Sequence, residues 1–238
     1  PVLYKATPLH PRLGVLHYLN FTNRDSRRWE DLVKTLAEGM GISPSSSSQN
    51  TAALIEKGRI FVKRREYQSA LEIFQQAILQ EPNNALAYAE KSEALYRSGN
   101  YKEALLASNR AIQIQANLAL AHYRRGNALS GLKRDEEAMD AYNRAIQLDP
   151  HYAIAYNGKG VLLQEHGQYK EAMDAYNRAI QLDPHYALAY NNKGVSLYAC
   201  ERHKEALDAY NRAIQLDPNE ALYYRNKGNL LRIIERND

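Results

Sequence analysis

The sequence is short of most features that announce chemistry. It holds one cysteine, Cys200, among 238 residues, which excludes an internal disulfide framework and suits a reducing, cytoplasmic compartment. No apolar run approaches the ~18 residues that a membrane span needs, so no membrane partner is expected. The opening "PVLYKATPLH" lacks the basic start and apolar core of a secretory signal, so the sequon at Asn20–Thr22 carries little weight. The chain starts at Pro1 rather than Met, which predicts a piece of a longer protein. No glycine-rich phosphate loop is present. A net charge of +4, with basic residues interleaved among acids, gives no basic stripe, and no nucleic-acid partner is expected.

The histidines and aspartates form no metal-ligand or catalytic constellation. His151 and His185 occupy equivalent places in consecutive units and read as turn residues. The other histidines (His10, His17, His122, His166, His203) form no spaced pair. Cys200 falls on a predicted helix, with His203 as its nearest acid–base neighbour, and reads as a small packing residue. Asp149, Asp183 and Asp217 precede prolines and read as turn residues. No catalytic residue, no metal and no cofactor is therefore expected, and no enzyme.

What the sequence does contain is repetition. "EAMDAYNRAIQLDPHYA" at 137–153 recurs letter for letter at 171–187, and a variant follows at 205–221. Sliding the chain by 34 residues aligns five units, 51–84, 85–118, 119–152, 153–186 and 187–220, with a partial sixth at 221–238. Each has two apolar-periodic stretches of helical length; in the fourth they are "AIAYNGKGVLLQEHG" and "YKEAMDAYNRAIQLD". Gly167 can end the first helix, and Asp183, before a proline, should end the second. Gly126, Gly160 and Gly194, with Ala138, Ala172 and Ala206, let paired helices approach, and Tyr142, Tyr176 and Tyr210 are expected to fill the gap to the next unit. Such a hairpin buries its faces only by stacking.

This pattern resembles the tetratricopeptide repeat (TPR), a 34-residue helix-turn-helix unit. The resemblance implies an all-α fold, a right-handed solenoid of five full repeats and a partial sixth. The second unit departs from the pattern: Ser92 replaces the glycine, Ser108 the aromatic and Ala116 the proline. Asp135 and His203 replace a turn tyrosine. Lys57, Lys91, Arg125, Lys159, Lys193 and Lys227 stand before the glycine, where their stems are expected on apolar surface and their charges in water.

Residues 1–42 carry a second resemblance. "PVLY", "LHYLNF" and "WEDLVKTL" look like the last two strands and final helix of a bacterial TIR domain, a small α/β remnant joined to the repeats by a Ser-rich linker at 43–50. No residue matches the family's catalytic glutamate, so no NAD cleavage is transferred to this chain; the alternative is the regulatory half of an NAD-cleaving effector whose catalytic residues lie outside it.

The TPR resemblance implies protein recognition on a concave face lined by the first helix of each unit. The expected groove residues are Arg59, Tyr96, Arg97, Tyr123, Asn127, Asn157, Gln164, Asn191, Tyr198, Arg225 and Asn229, with Ile55 and Glu93 beside them. The recurring asparagine amides can pair with the backbone of an extended peptide, or can be solvated positions. Alanine at Tyr123, Asn157 and Asn191 is expected to weaken a partner and leave the melting temperature nearly unchanged. Of the positions that form the family's carboxylate clamp, Ile55, Arg59, Glu90, Leu120 and Arg124, only Arg124 fits, so no chaperone-tail adaptor is expected. Self-association through the N-terminal strands, or through Leu230, Leu231, Ile233 and Ile234, which lack a covering helix, is the remaining expectation.

Overall fold

The computed structural model describes residues 46–237, with side chains from 49 to 236. The strands and helix expected within 1–42 lie outside the described residues. Eleven α-helices follow in the described part: α1 Ser46–Lys63, α2 Tyr67–Gln80, α3 Ala85–Arg97, α4 Tyr101–Ile114, α5 Ala119–Gly131, α6 Asp135–Leu148, α7 Ala153–Glu165, α8 Tyr169–Leu182, α9 Ala187–Ala199, α10 His203–Leu216 and α11 Ala221–Asn237. They pair as five antiparallel hairpins, and α11 stands where the first helix of a sixth unit begins. Helix α1 starts at Ser46, so residues 46–50 of the stretch read as a linker are helical. No described helix is long and apolar enough to cross a membrane.

Local chemistry sets the turns. The same place in each hairpin takes a left-handed backbone: Arg65 (φ 64°), Gly99 (84°), Lys133 (59°), Gly167 (72°) and Glu201 (58°). The next amide then reaches five residues back, as in Gln168 N–H to Leu163 O at 2.9 Å and Arg202 N–H to Leu197 O at 2.9 Å, which satisfies the open carbonyls of the first helix. Cys200 is not within the helix as expected but caps α9, so the turn separates it from His203. The second helices end on extended residues, Asp149 (φ −136°) and Asp183 (φ −134°), each before a proline. Gln115 takes the same backbone (φ −139°) although Ala116 replaces the proline; there the His122 ring holds the Ala116 carbonyl at 2.9 Å. Asp149 and Asp183 each accept from the backbone N–H of His151 and His185, which accounts for both the aspartates and the histidines as turn residues.

The core is built from rings on glycines. The ring of Tyr142 lies on Gly126, Tyr176 on Gly160, Tyr210 on Gly194 and Phe74 on Gly58. The tyrosines thus fill space within their own hairpin, and not only the gap to the next unit as expected. Tyr142 and Tyr210 also share clusters with Leu162 and Leu230 of the following first helices. Burial holds the Tyr142 and Tyr176 phenols well above the ordinary tyrosine range and pushes Tyr210 up to about 12. Hydrogen bonds also cross the unit boundary. Lys91 Nζ donates to Gln75 Oε1 at 2.8 Å, and Lys159 Nζ to Asn143 Oδ1 at 2.9 Å, so these cations also tie their helix to the preceding second helix. Leu230 is buried and Leu231, Ile233 and Ile234 are half-buried, so the apolar surface expected on α11 is smaller than the sequence suggested.

Candidate binding groove

Curvature follows from which helices touch. Successive first helices contact one another along the whole stack, α1 to α3, α3 to α5, α5 to α7, α7 to α9 and α9 to α11, while no two second helices do. The first helices therefore lie closer together, and their free faces form the inner wall of the curve.

The N-terminal part of that wall is charged. Arg59 Nε and Nη2, half-buried, donate to Glu90 Oε1 at 3.0 and 2.7 Å, and Arg59 also pairs with Glu56. Arg124 Nη1 reaches Glu93 Oε2 at 2.5 Å and its Nη2 lies 3.7 Å from Glu90 Oε2. Arg97, exposed, donates from Nε to Glu93 Oε1 at 2.8 Å. Glu90 and Glu93 are buried at 5% and 6% exposure; Glu90 takes its partners from the first helices on either side, and Glu93 from the following first helix and its own. Burial alone would lower the Arg124 pKa, yet Glu93 and Glu90 outweigh it and hold the guanidinium above its ordinary value. Glu90 is thus the joint between repeats 1, 2 and 3, a role its residue type alone did not disclose.

The C-terminal part is an amide chain. Asn226 Nδ2 donates to Asn191 Oδ1 (2.9 Å), Asn191 Nδ2 to Asn192 Oδ1 (3.3 Å), and Asn192 Nδ2 to Asn157 Oδ1 (3.1 Å). Asn157 and Asn191 are 5% and 1% exposed, so they are neither solvated nor open to a ligand along their full edge. Asn127, also buried, accepts from Tyr142 Oη at 2.9 Å, and half-buried Gln164 accepts from Tyr176 Oη and Ser196 Oγ. Ile55 is 3% exposed and belongs to the core of repeats 1 and 2. The expectation that alanine at Asn157 and Asn191 would spare stability is therefore corrected, because both are buried, hydrogen-bonded links.

Between these parts sits an aromatic cluster. Tyr123, half-buried, has Arg124 over its ring at 5.3 Å, Tyr142 at 5.9 Å and Tyr152 edge-on at 5.7 Å. Tyr96, half-buried, lies 5.6 Å from Tyr101. Tyr198, Arg225 and Asn229 are exposed, though Tyr198 also stacks on His203 at 6.0 Å, over the turn. The sequence reading missed Tyr152 and Tyr186, which stand as N-caps of α7 and α9. Their recurrence 34 residues apart was the available signal. Among the described residues, no cluster of three or more potential ligands could hold a metal ion.

Stacked helical hairpins with first helices inside define an α-solenoid. A family model described as tetratricopeptide repeat matches residues 55–119 and 157–221, and a second of the same description matches 119–152. The chain belongs to the tetratricopeptide repeat family. None of the curated proteins compared with the chain matches it significantly. Among solved structures it resembles TTC0263, a TPR protein of Thermus thermophilus (17% identity, 76% of this chain and 98% of that one, TM-score 0.71). It also resembles the pilF protein of Pseudomonas aeruginosa (19% identity, 80% and 87% covered, TM-score 0.65). YrrB, described as a TPR protein with an unusual peptide-binding site, is similar at 22% identity (77% and 98% covered, TM-score 0.51). At these identities the likeness is one of fold.

Proposed function

We propose that the chain is a protein–protein recognition scaffold that takes up a peptide or protein segment along the concave face of its first helices. The observation that carries this reading is the contact pattern, which turns every first helix inward and lines that wall with charged, aromatic and amide side chains. The peptide-binding site described for YrrB supports the same use of the fold. The groove set consists of Arg59, Tyr96, Arg97, Tyr123, Tyr198, Arg225 and Asn229 as facing residues, with Asn127, Asn157, Gln164 and Asn191 as their buried support. The resemblance of residues 1–42 to the end of a TIR domain supports placing the repeats as the sensing part of a bacterial, cytoplasmic signalling protein.

The test is selection of short unstructured peptides on the immobilised chain, followed by affinity measurement with Tyr198→Ala, Arg225→Ala and Asn229→Ala combined. These side chains are exposed, so the fold is kept. Loss of affinity supports the groove; a selected peptide that binds the triple variant unchanged would sink it.

A further inference from the structure

We infer that the stretch from Trp29 to Pro44 packs as a second helix on the outer face of α1 and closes the N-terminal end of the stack. This depends neither on the groove reading nor on the TIR resemblance.

One contact pattern breaks at the first repeat. Every first helix after α1 lies against the second helix before it. Two rows of side chains, seven residues apart, face that contact. One row is Ala87, Ala121, Ala155, Ala189 and Tyr223, all buried. The other is Ala94, Ala128, Leu162, Ser196 and Leu230, none more than 1% exposed. In that row Ala128 clusters with Ala104 and Ala107, Leu162 with Ala138 and Tyr142, and Leu230 with Ala206 and Tyr210, each time on the preceding second helix. On α1 the same rows are Ala53 and Ile60. Ala53 is exposed, and Ile60 is 49% exposed. Lys57, between them, is exposed too, whereas Lys91 and Lys159 at its place are half-buried and bonded to the helix before. A single exposed isoleucine is ordinary on a protein surface. What marks Ile60 is that all five equivalents are closed. Helix α1 thus carries a face that takes a second helix in every later repeat, and no described helix covers it.

The chain's own sequence supplies the occupant, within residues that lie outside the described ones. Trp29, Leu32, Val33, Leu36 and Met40, followed by Pro44, have the spacing of Tyr67, Ala70, Leu71, Phe74 and Ile78, followed by Pro82. In α2 that is the face a following first helix meets, since Ala70, Phe74 and Ile78 share one cluster with Ala87 and Ala94. The order along the chain fits as well. First helices begin three residues after Pro82, Pro150, Pro184 and Pro218, and α1 begins two residues after Pro44. Helix α1 starts at Ser46, five residues before the repeat boundary at Thr51, which moves the joint about 7.5 Å along its axis. Residues 41–45 can span about 17 Å, enough to return over that length to a neighbouring helix axis about 8–10 Å away. A tether this short holds the stretch at an effective concentration of about millimolar, which favours it over a second copy of the chain.

Trp29 is the only tryptophan in the sequence, so its fluorescence reports on this stretch alone. Tyr67, Tyr101 and Tyr169, at the equivalent place, are half-buried. The whole chain is compared with Ile60→Glu and Ala53→Arg on the outer face, and with Leu79→Glu as the control, by emission wavelength and acrylamide quenching. Leu79 is exposed on α2, in a row where Gln113, Gln147, Gln181 and Gln215 are exposed as well. All three sites are exposed, so the repeats keep their fold. Trp29 should be shielded in the unaltered chain and in Leu79→Glu, at every protein concentration. Ile60→Glu and Ala53→Arg should each lower the ratio of docked to free segment at least about tenfold and move the emission to that of tryptophan in water. Trp29 open to quencher in the unaltered chain, or shielded equally in both outer-face variants, would overturn the inference. Shielding that is lost on dilution, together with sedimentation as a dimer, would overturn it in favour of a second copy as the occupant.

Discussion

The ring of Tyr176 rests so closely on the α-carbon of Gly160 that a β-carbon there would lie 2.5 Å from Cε1. Tyr142 on Gly126 and Tyr210 on Gly194 repeat the arrangement, each at 2.6 Å. Gly228, the equivalent position on α11, has nothing within 4 Å. The two sites predict opposite signs. Gly160→Ala forces the ring out of place, and overpacking of this kind costs about 1–3 kcal/mol, more than the helix propensity gained. Gly228→Ala meets open space and should stabilise by up to about 1 kcal/mol. Denaturant midpoints of the two variants check this; equal shifts would show that the ring contact is not what holds the hairpin closed.

The second repeat solves the same packing differently. Ser92 stands at the glycine position and Ser108 at the aromatic one, both fully buried, and their hydroxyls donate to Ala104 O at 2.8 Å and Leu105 O at 2.9 Å. Ser108→Tyr alone should drive a ring into Ser92 and destabilise. Adding Ser92→Gly should recover stability, with a favourable coupling of at least about 0.5 kcal/mol in a double-mutant cycle. Strict additivity would contradict the pairing of these positions.

The hairpins, their turns and the ring-bearing positions were legible because one period of 34 residues repeats them and each repetition averages out local accident. The partners of buried polar groups were not. Asn191 and Glu90 find theirs on other repeats, and residue type at one position does not say whether a side chain 31 or 35 residues away will meet it. The helical start at Ser46 was missed because serines look like a linker when no stop signal is weighed against them.

Asn191 is predicted to be structural. It is 1% exposed, takes a hydrogen bond from Asn226 and gives one to Asn192. Asn191→Ala removes both bonds from a buried position and should cost about 1–3 kcal/mol. Asn229→Ala, at an exposed position on α11, should fall within about 0.5 kcal/mol of the unaltered chain. Thermal unfolding of both variants decides the matter.

His122 should make stability sensitive to acid. Its Nε2–H donates to Ala116 O at 2.9 Å, and its Nδ1 is buried without a partner. Burial lowers its pKa from 6.5; the Ala116 hydrogen bond opposes that shift, and Arg144 and Arg125 add to it. The folded state therefore binds its proton less readily than the unfolded chain. The stabilising contribution is present above the unfolded pKa and is lost as pH falls through the lower folded value. Between neutral pH and about pH 5, the unaltered chain should lose more stability than His122→Gln, which cannot titrate. Parallel pH profiles for the two would refute the assignment.

The central claim is that the inner wall of first helices recognises an extended segment. Its most direct measurement is amide chemical-shift mapping of the whole chain titrated with the tightest selected peptide. The account predicts perturbations along α5, α7, α9 and α11, with α4, α6, α8 and α10 little changed. Shifts concentrated on those second helices would contradict it.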